Sequence, residues 1–282
     1  MSSNSKKTFP AIPAVLLSMI SVQGGASIAK SLFPVLGAGG TASLRIGLSA
    51  VLLVLFFRPN IRKLTAEQWL YCSGYGICLA AMNLIFYYAI QRIPLGLGVA
   101  LEFVGPLTLA LFSSRKILDL FWALLACIGI ALLVPWNNAG VDIIGLILAL
   151  VAGAFWAFYI LIGGKILKKV KRGEAVSVGM CIATLFILPF GIFSGDLDVL
   201  NGKWLLVGLG VALLSSAVPF SLDLIALGKI PSKTFSILMS LQPAFGALSG
   251  LVFLNEILSI SQCLSILCVI VASIGATIFR KK

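Results

Sequence analysis

The chain contains no histidine, so the commonest catalytic base and metal ligand is missing. Acids are scarce: nine Asp and Glu stand against 21 Lys and Arg in 282 residues. Charged residues make up 11% and apolar residues 60%, where a soluble domain carries about 25% and about 45–50%. Packed as a water-soluble globule, this chain would expose large apolar patches. That excludes a soluble enzyme, a nucleic-acid module and a disordered tail. The six cysteines, Cys72, Cys78, Cys127, Cys181, Cys263 and Cys268, show no C-x-x-C spacing and sit in or beside apolar runs. They read as small hydrophobes, so no metal site and no disulfide framework is expected. The sequence holds no Gly-x4-Gly-Lys-Ser/Thr loop, so neither a nucleotide nor any other cofactor is expected.

What is present is apolar sequence in lengths that suit a bilayer, whose core takes about 20 residues of helix. Ten runs stand between polar breaks, at roughly 12–33, 41–57, 69–90, 95–113, 118–135, 142–164, 175–193, 205–227, 234–253 and 259–279. Lys6 and Lys7 before the first run resemble a signal-peptide start, but the run is long enough to span, so no cleavage is expected. If the N-terminus is cytoplasmic, seventeen of the 21 basic residues fall on the inner side, in clusters such as Arg58, Arg62 and Lys63 or Lys165 to Arg172. Only Arg92 and Lys203 fall outside, while Lys30 and Arg45 lie within spans. Lysine and arginine concentrate on the cytoplasmic side of membrane proteins. The expectation is an all-α membrane protein of ten transmembrane helices with both termini cytoplasmic.

An internal repeat orders these helices. Residues 89–106 match 226–243 at an offset of 137: Gln91-Arg92-Ile93-Pro94 faces Gly228-Lys229-Ile230-Pro231, and Pro106 and Pro243 follow at equal distance. The chain divides into two five-helix halves, 1–137 and 138–282. An odd number of spans per half inverts the second against the first, as in many secondary transporters. Pro106 and Pro243 each remove a backbone donor from a helix. Paired breaks at equivalent points of two halves mark a central binding site, although a plain packing kink would leave the same signature.

Polar side chains at membrane depth narrow the site. Glu102 stands about eight residues into its run, hence about 12 Å deep at about 1.5 Å per residue, near the middle of a core about 30 Å thick. An acid there is functional by default. It suits proton coupling or a substrate ammonium group; the bland reading is an ion pair with Lys30 or Arg45. Arg45 can grip a carboxylate with two N–H groups or only neutralise Glu102. Lys30 either reaches the outer interface or joins the site. Gln242 offers a neutral amide at similar depth, and Asn83 offers another or a simple interhelical bond. Trp156 and Tyr159, mid-helix, line a cavity or pack. Trp69, Trp122, Trp136 and Trp204 at span ends read as interface anchors. Asp223 reads as an interfacial partner of Lys229.

Several strings resemble one family: Gln23-Gly24-Gly25-Ala26-Ser27-x-Ala29-Lys30-Ser31-Leu32-Phe33-Pro34, Val99-Ala100-Leu101-Glu102-Phe103-x-Gly105-Pro106-Leu107, and Leu238-Met239-Ser240-Leu241-x-Pro243-Ala244. With the two halves and their Ile-Pro steps, the whole chain resembles the drug/metabolite transporter superfamily of EamA type. Within it, the strings look most like bacterial inner-membrane threonine/homoserine exporters. The resemblance implies proton-driven export of small amino acids by alternating access, with the site on Glu102 and its neighbours and on Gly24 to Lys30. The chain departs from that pattern at Gln242, where a Glu is expected, and at Asp223, where a longer Glu is expected. Partners so implied are a small-molecule substrate, protons and lipid, and no nucleic acid. The alternatives are a carrier with another substrate, a membrane-embedded enzyme, and a non-transporting scaffold. An enzyme needs converging acids, bases or nucleophiles; Ser113-Ser114 have no base nearby in sequence, and no enzymatic activity is expected.

Overall fold

The computed structural model describes residues 11–112, 117–132, 142–166, 169–219, 222, 226 and 238–278. The described residues form helices, short turns and no strand. In chain order the helices are α1 (Ala11–Ser31), α2 (Phe33–Phe57), α3 (Ala66–Arg92), α4 (Leu95–Glu102), α5 (Val104–Phe112), α6 (Ile117–Ala131), α7 (Ile143–Ile166), α8 (Arg172–Phe193), α9 (Gly202–Ala212), α10 (Gln242–Leu254) and α11 (Ile260–Ile278). Five of these are long and apolar enough to cross a membrane: α1, α2, α3, α7 and residues Gly173–Phe193 of α8. The other apolar helices are shorter. Ile230-Pro231, Asp223 with Lys229, Trp136, Ser113-Ser114 and Lys6-Lys7 lie outside the described residues.

Among the described residues the helices overlap the apolar runs, but the run at 95–113 is split in two and the second run starts earlier. The second run, read as starting near residue 41, is helical from Phe33. Pro34 fits the first turn, where its missing N–H is no loss, and the chain bends at Gly37, whose φ of 59° favours glycine. Asp196, from the turn after α8, accepts from the Gly40 N–H at 3.0 Å. A Cβ on Gly37 or Gly40 would collide with the Asp196 side chain. So the glycines between the first two runs serve a bent helix capped by a distant acid. Elsewhere local signals act as written. Thr65 and Gln68 form a reciprocal capping box that starts α3, and Ile93-Pro94 ends it, because the residue before proline avoids the helical region.

The break after Glu102 is central. Phe103 interrupts the helix between α4 and α5. Pro106 has no N–H, so the Glu102 carbonyl loses its partner four residues on. Gly153 of α7 packs against that carbonyl: a Cβ at Gly153 would stand 2.5 Å from the Glu102 oxygen, and one at Gly105 would run into the Gly153 carbonyl. Small residues thus let two backbones touch at the break. On the other side, a Cβ at Gly96 would meet the Ala247 Cα at 2.6 Å, so α4 is also pressed against α10. Gln242 opens α10, with Pro243 in its first turn, after a non-helical step at Ser240-Leu241.

Around this centre, α3 packs on α7 and α8, α2 on α8, α10 on α1 and α4, and α6 on α11. Large apolar side chains such as Phe56, Leu70, Leu185, Phe193 and Val252 point outward, which suits hydrocarbon. Polar ties gather at the two ends of the bundle. At one end, Arg92 pairs with Asp142 at 2.8 Å and holds that carboxyl below its ordinary range. At the other, Glu67 pairs with Lys169, and Gln68 donates to the Lys169 carbonyl at 2.8 Å.

Gly105→Val is expected to push α5 away from α7 and to destabilise the protein by about 1–3 kcal/mol, as overpacking does. The readout is an earlier thermal transition in detergent. An unchanged transition would show the Gly105–Gly153 crossing to be slack.

Candidate functional site

A cavity of about 570 Å³ lies inside the bundle. Glu102, Arg45, Gln242, Asn83, Trp156 and Tyr159 all line it. These residues come from α2, α3, α4, α7 and α10, so the fold gathers side chains up to 197 positions apart. Lys30 does not join them. It donates to Glu256 at 2.5 Å and to the Ile93 carbonyl at 2.7 Å, and the second Glu256 oxygen accepts from the Leu95 N–H at 2.7 Å. Glu256 reaches that position because Asn255 ends α10 in a left-handed conformation and Gly250 leaves room for the carboxylate. Lys30 therefore neither lines the cavity nor pairs with Glu102.

Arg45 is held by α3. Its Nη2 donates to the Asn83 side-chain oxygen, and its guanidinium lies over the Tyr87 ring at 5.0 Å. Asn83 is itself fixed by donating to the Leu79 carbonyl at 2.7 Å. Asn83 is thus an interhelical bond and a cavity wall at once. A guanidinium has five N–H donors, and Arg45 Nε is buried without a hydrogen-bond partner among the described residues. Glu102 ends α4 at the break. Among the described residues it makes no salt bridge, with Arg45 or any other base. An acid and a base therefore line one cavity without forming a salt bridge with each other.

Neutral groups complete the wall. Gln23 of α1 donates to the Gln242 side-chain oxygen at 3.3 Å. The Tyr75 and Tyr159 hydroxyls lie 2.6 Å apart, with ring centroids at 4.6 Å. Trp156 meets Phe103 edge to face at 5.6 Å, so it is both lining and packing. At the end of α9 the chain widens into a π turn, Leu213–Ala217. Ser21 of α1 donates to the Leu214 carbonyl at 2.6 Å, and Ser49 bonds Ser216 at 2.9 Å. The turn brings Ser215 and Ser216 to the cavity; such widenings recur at functional sites. Gln23, Tyr75, Ser215, Ser216 and Met239 are lining residues that the sequence reading did not single out. Gln23 carried the same signal as Gln242, a lone amide in an apolar run. The serines carried none, because a π turn has no composition of its own.

An apolar helical bundle around an internal cavity, with a few polar side chains set in a mostly apolar wall, is the build of a multi-pass membrane protein. The pattern of the EamA-like transporter family matches residues 143–278. The chain is 44% identical over 274 residues to the threonine/homoserine exporter RhtA of Escherichia coli K12, covering 96% of this chain and 92% of that one. It is 44% identical over 270 residues to RhtA of Salmonella typhimurium LT2, covering 95% and 91%. A solved crystal structure, 15% identical, superposes on 94% of this chain and 96% of its own with a TM-score of 0.59, and so shares the fold. The chain belongs to the EamA-like transporter family, and it is a multi-pass protein of the bacterial inner membrane.

The Lys30–Glu256 pair gives a stability test. Both side chains are largely buried, at 17% and 14% exposure. Lys30→Met or Glu256→Gln alone strands a charge or a donor and is expected to cost about 3–5 kcal/mol. The double variant should recover part of that loss in a thermal or denaturant cycle in detergent. Additive losses would show that the two do not act as a pair.

Proposed function

We propose that the chain is a secondary active exporter of small amino acids of the threonine and homoserine kind, or of closely related metabolites. The observation that carries this reading is that Arg45 and Glu102 line one cavity without forming a salt bridge, with each other or with another of the described residues. A zwitterion complements it: its carboxylate meets the guanidinium, and its ammonium meets Glu102. The volume falls in the range of small-molecule sites, about 300–1,000 Å³. Kinship to exporters named for threonine and homoserine supports the substrate class. The second reading, a carrier of another metabolite, draws on Gln242, a neutral amide where the exporter pattern leads one to expect an acid.

In this reading ten transmembrane helices form two inverted halves, 1–137 and 138–282, with both termini cytoplasmic. The distribution of basic residues supports the orientation, and the family match over 143–278 supports a second half that is a unit. The cavity reaches Phe57, Gly163 and Ile166, beside the basic end of the bundle. The opposite end is tied by Lys30–Glu256, Gly40–Asp196 and Arg92–Asp142. This conformation is then loaded from the cytoplasm and sealed outside. Transport follows when the outer ties part and the inner end closes.

Glu102 carries the proton in this scheme. Ionised, it holds the substrate ammonium; protonated, it releases it. A carboxylate that makes no salt bridge among the described residues can exchange between those states, and one locked to Lys30 cannot. The Glu102 carbonyl at the break, held against Gly153, fixes where the carboxylate enters the cavity. In lipid such irregular backbone is tolerated where protein or a wet cavity satisfies it.

Flux of labelled threonine and homoserine in proteoliposomes, with and without an imposed pH gradient, tests the reading. Saturable, gradient-dependent flux is expected, and Glu102→Gln is expected to abolish the gradient dependence while the protein stays folded. Gradient-driven flux unchanged by that substitution removes Glu102 from the coupling step. Arg45→Lys should raise the half-saturating substrate concentration about tenfold or more, the scale of a hydrogen bond to a charged group. No shift would place the substrate carboxylate elsewhere.

A further inference from the structure

Gln23 and Gln242 form a second polar feature of the cavity, distinct from the Arg45 and Glu102 charges. One stands on α1 and the other opens α10, 219 positions apart. Both residues are buried, at 3% and 8% exposure, and both line the cavity. Two primary amides joined by a single N–H···O bond leave one carbonyl and one NH₂ with capacity to spare, whichever way round the amide ends are assigned. The remaining contact of the Gln242 NH₂ is with the Met239 sulfur at 3.8 Å, a weak acceptor. Gly246 packs against the Val99 side chain, and the Gln23 oxygen lies 3.5 Å from where a Gly246 Cβ would stand. The pair therefore holds a donor and an acceptor with capacity to spare in the cavity wall.

A hydroxyl is the small group that needs both, since it donates one hydrogen and accepts another. We propose that the Gln23–Gln242 amide pair is the subsite for a substrate side-chain hydroxyl. This rests on the exporter reading above: threonine and homoserine both carry a zwitterionic head for Arg45 and Glu102 and a hydroxyl a few atoms away. With a methyl group in that place, the buried amide ends stay unpaired, and sites built for a hydroxyl reject the analogue lacking it far more strongly than apolar pockets reject an extra one. A plain interhelical tie between α1 and α10 would show no such discrimination.

The experiment is counterflow in proteoliposomes with threonine against valine, and homoserine against 2-aminopentanoate. Each pair exchanges a hydroxyl for a methyl at nearly constant shape. The wild type is expected to favour the hydroxy amino acid in both pairs by about tenfold or more. Gln242→Leu and Gln23→Leu should each collapse that ratio through loss on the hydroxyl side, and Gln242→Met serves where a leucine variant does not fold. A ratio unchanged in the folded variants, or equal loss of both members of each pair, assigns the amides to packing and overturns the proposal. A wild type that carries threonine and valine alike overturns it while leaving the exporter reading intact. A wild type that carries no amino acid overturns both.

Discussion

The contact between the α4–α5 break and Gly153 is the constraint on which the interior depends. In hydrocarbon a helix cannot leave backbone groups bare, so a proline inside a helix must be answered by something nearby. Here Pro106 leaves the Glu102 carbonyl without its usual partner, and the backbone of α7 comes up against it, which only glycine permits on both sides. That contact sets the height of the break, and the break sets the height of the Glu102 side chain. Because α4 is pinned on its other side by Gly96 against Ala247, the same short helix also positions α10, and with it Gln242. One backbone irregularity thus registers α7, α4 and α10 around a common centre.

The two kinds of buried charge show different solutions to one problem. Lys30 and Glu256 satisfy each other and two backbone groups, leaving little capacity. Arg45 and Glu102 could have cancelled in the same way. Instead Arg45 is drawn toward Asn83 and Tyr87, a neutral amide and an aromatic face, which steady a guanidinium without removing its charge. A stable arrangement of this sort keeps the cation available while avoiding a closed ion pair. The availability of Arg45 therefore depends on Asn83 and Leu79, which line the cavity with it, and on Tyr87 beside it, as much as on the guanidinium itself.

Much of this was legible in the sequence because apolar solvent is a severe filter. A carboxylate, a guanidinium or an amide within an apolar run has few places to go, so Glu102, Arg45, Asn83 and Gln242 stood out and the fold gathers them in one cavity. Lys30 stood out equally, yet its partner Glu256 lies just past a helix end, where an acid excites no notice; nothing in its spacing announces that a left-handed Asn255 will turn it back. The start of α2 misled for a related reason. Gly37, Gly39 and Gly40 fall in the gap before the second run, and Asp196, 156 positions from Gly40, holds them in a bent helix. The π turn at Ser215 and Ser216 was invisible, because its geometry is set by packing against α1 rather than by composition.

The distribution of ties also bears on how such a bundle could move. At the Lys30 end, the Lys30–Glu256, Gly40–Asp196 and Arg92–Asp142 ties each join an element before residue 137 to one after it. At the Glu67 end the corresponding tie is Glu67 with Lys169, and both side chains are more than a third exposed, where water screens an ion pair and its strength is small. The Lys30–Glu256 pair, less than a fifth exposed, sits where charges interact more strongly and where separation leaves each uncompensated. Under the proposed alternating-access scheme, parting the two halves would meet its main electrostatic resistance, among the described ion pairs, at the Lys30 end. Under the proposed exporter scheme, substrate bound in the cavity would have to supply what that separation takes away.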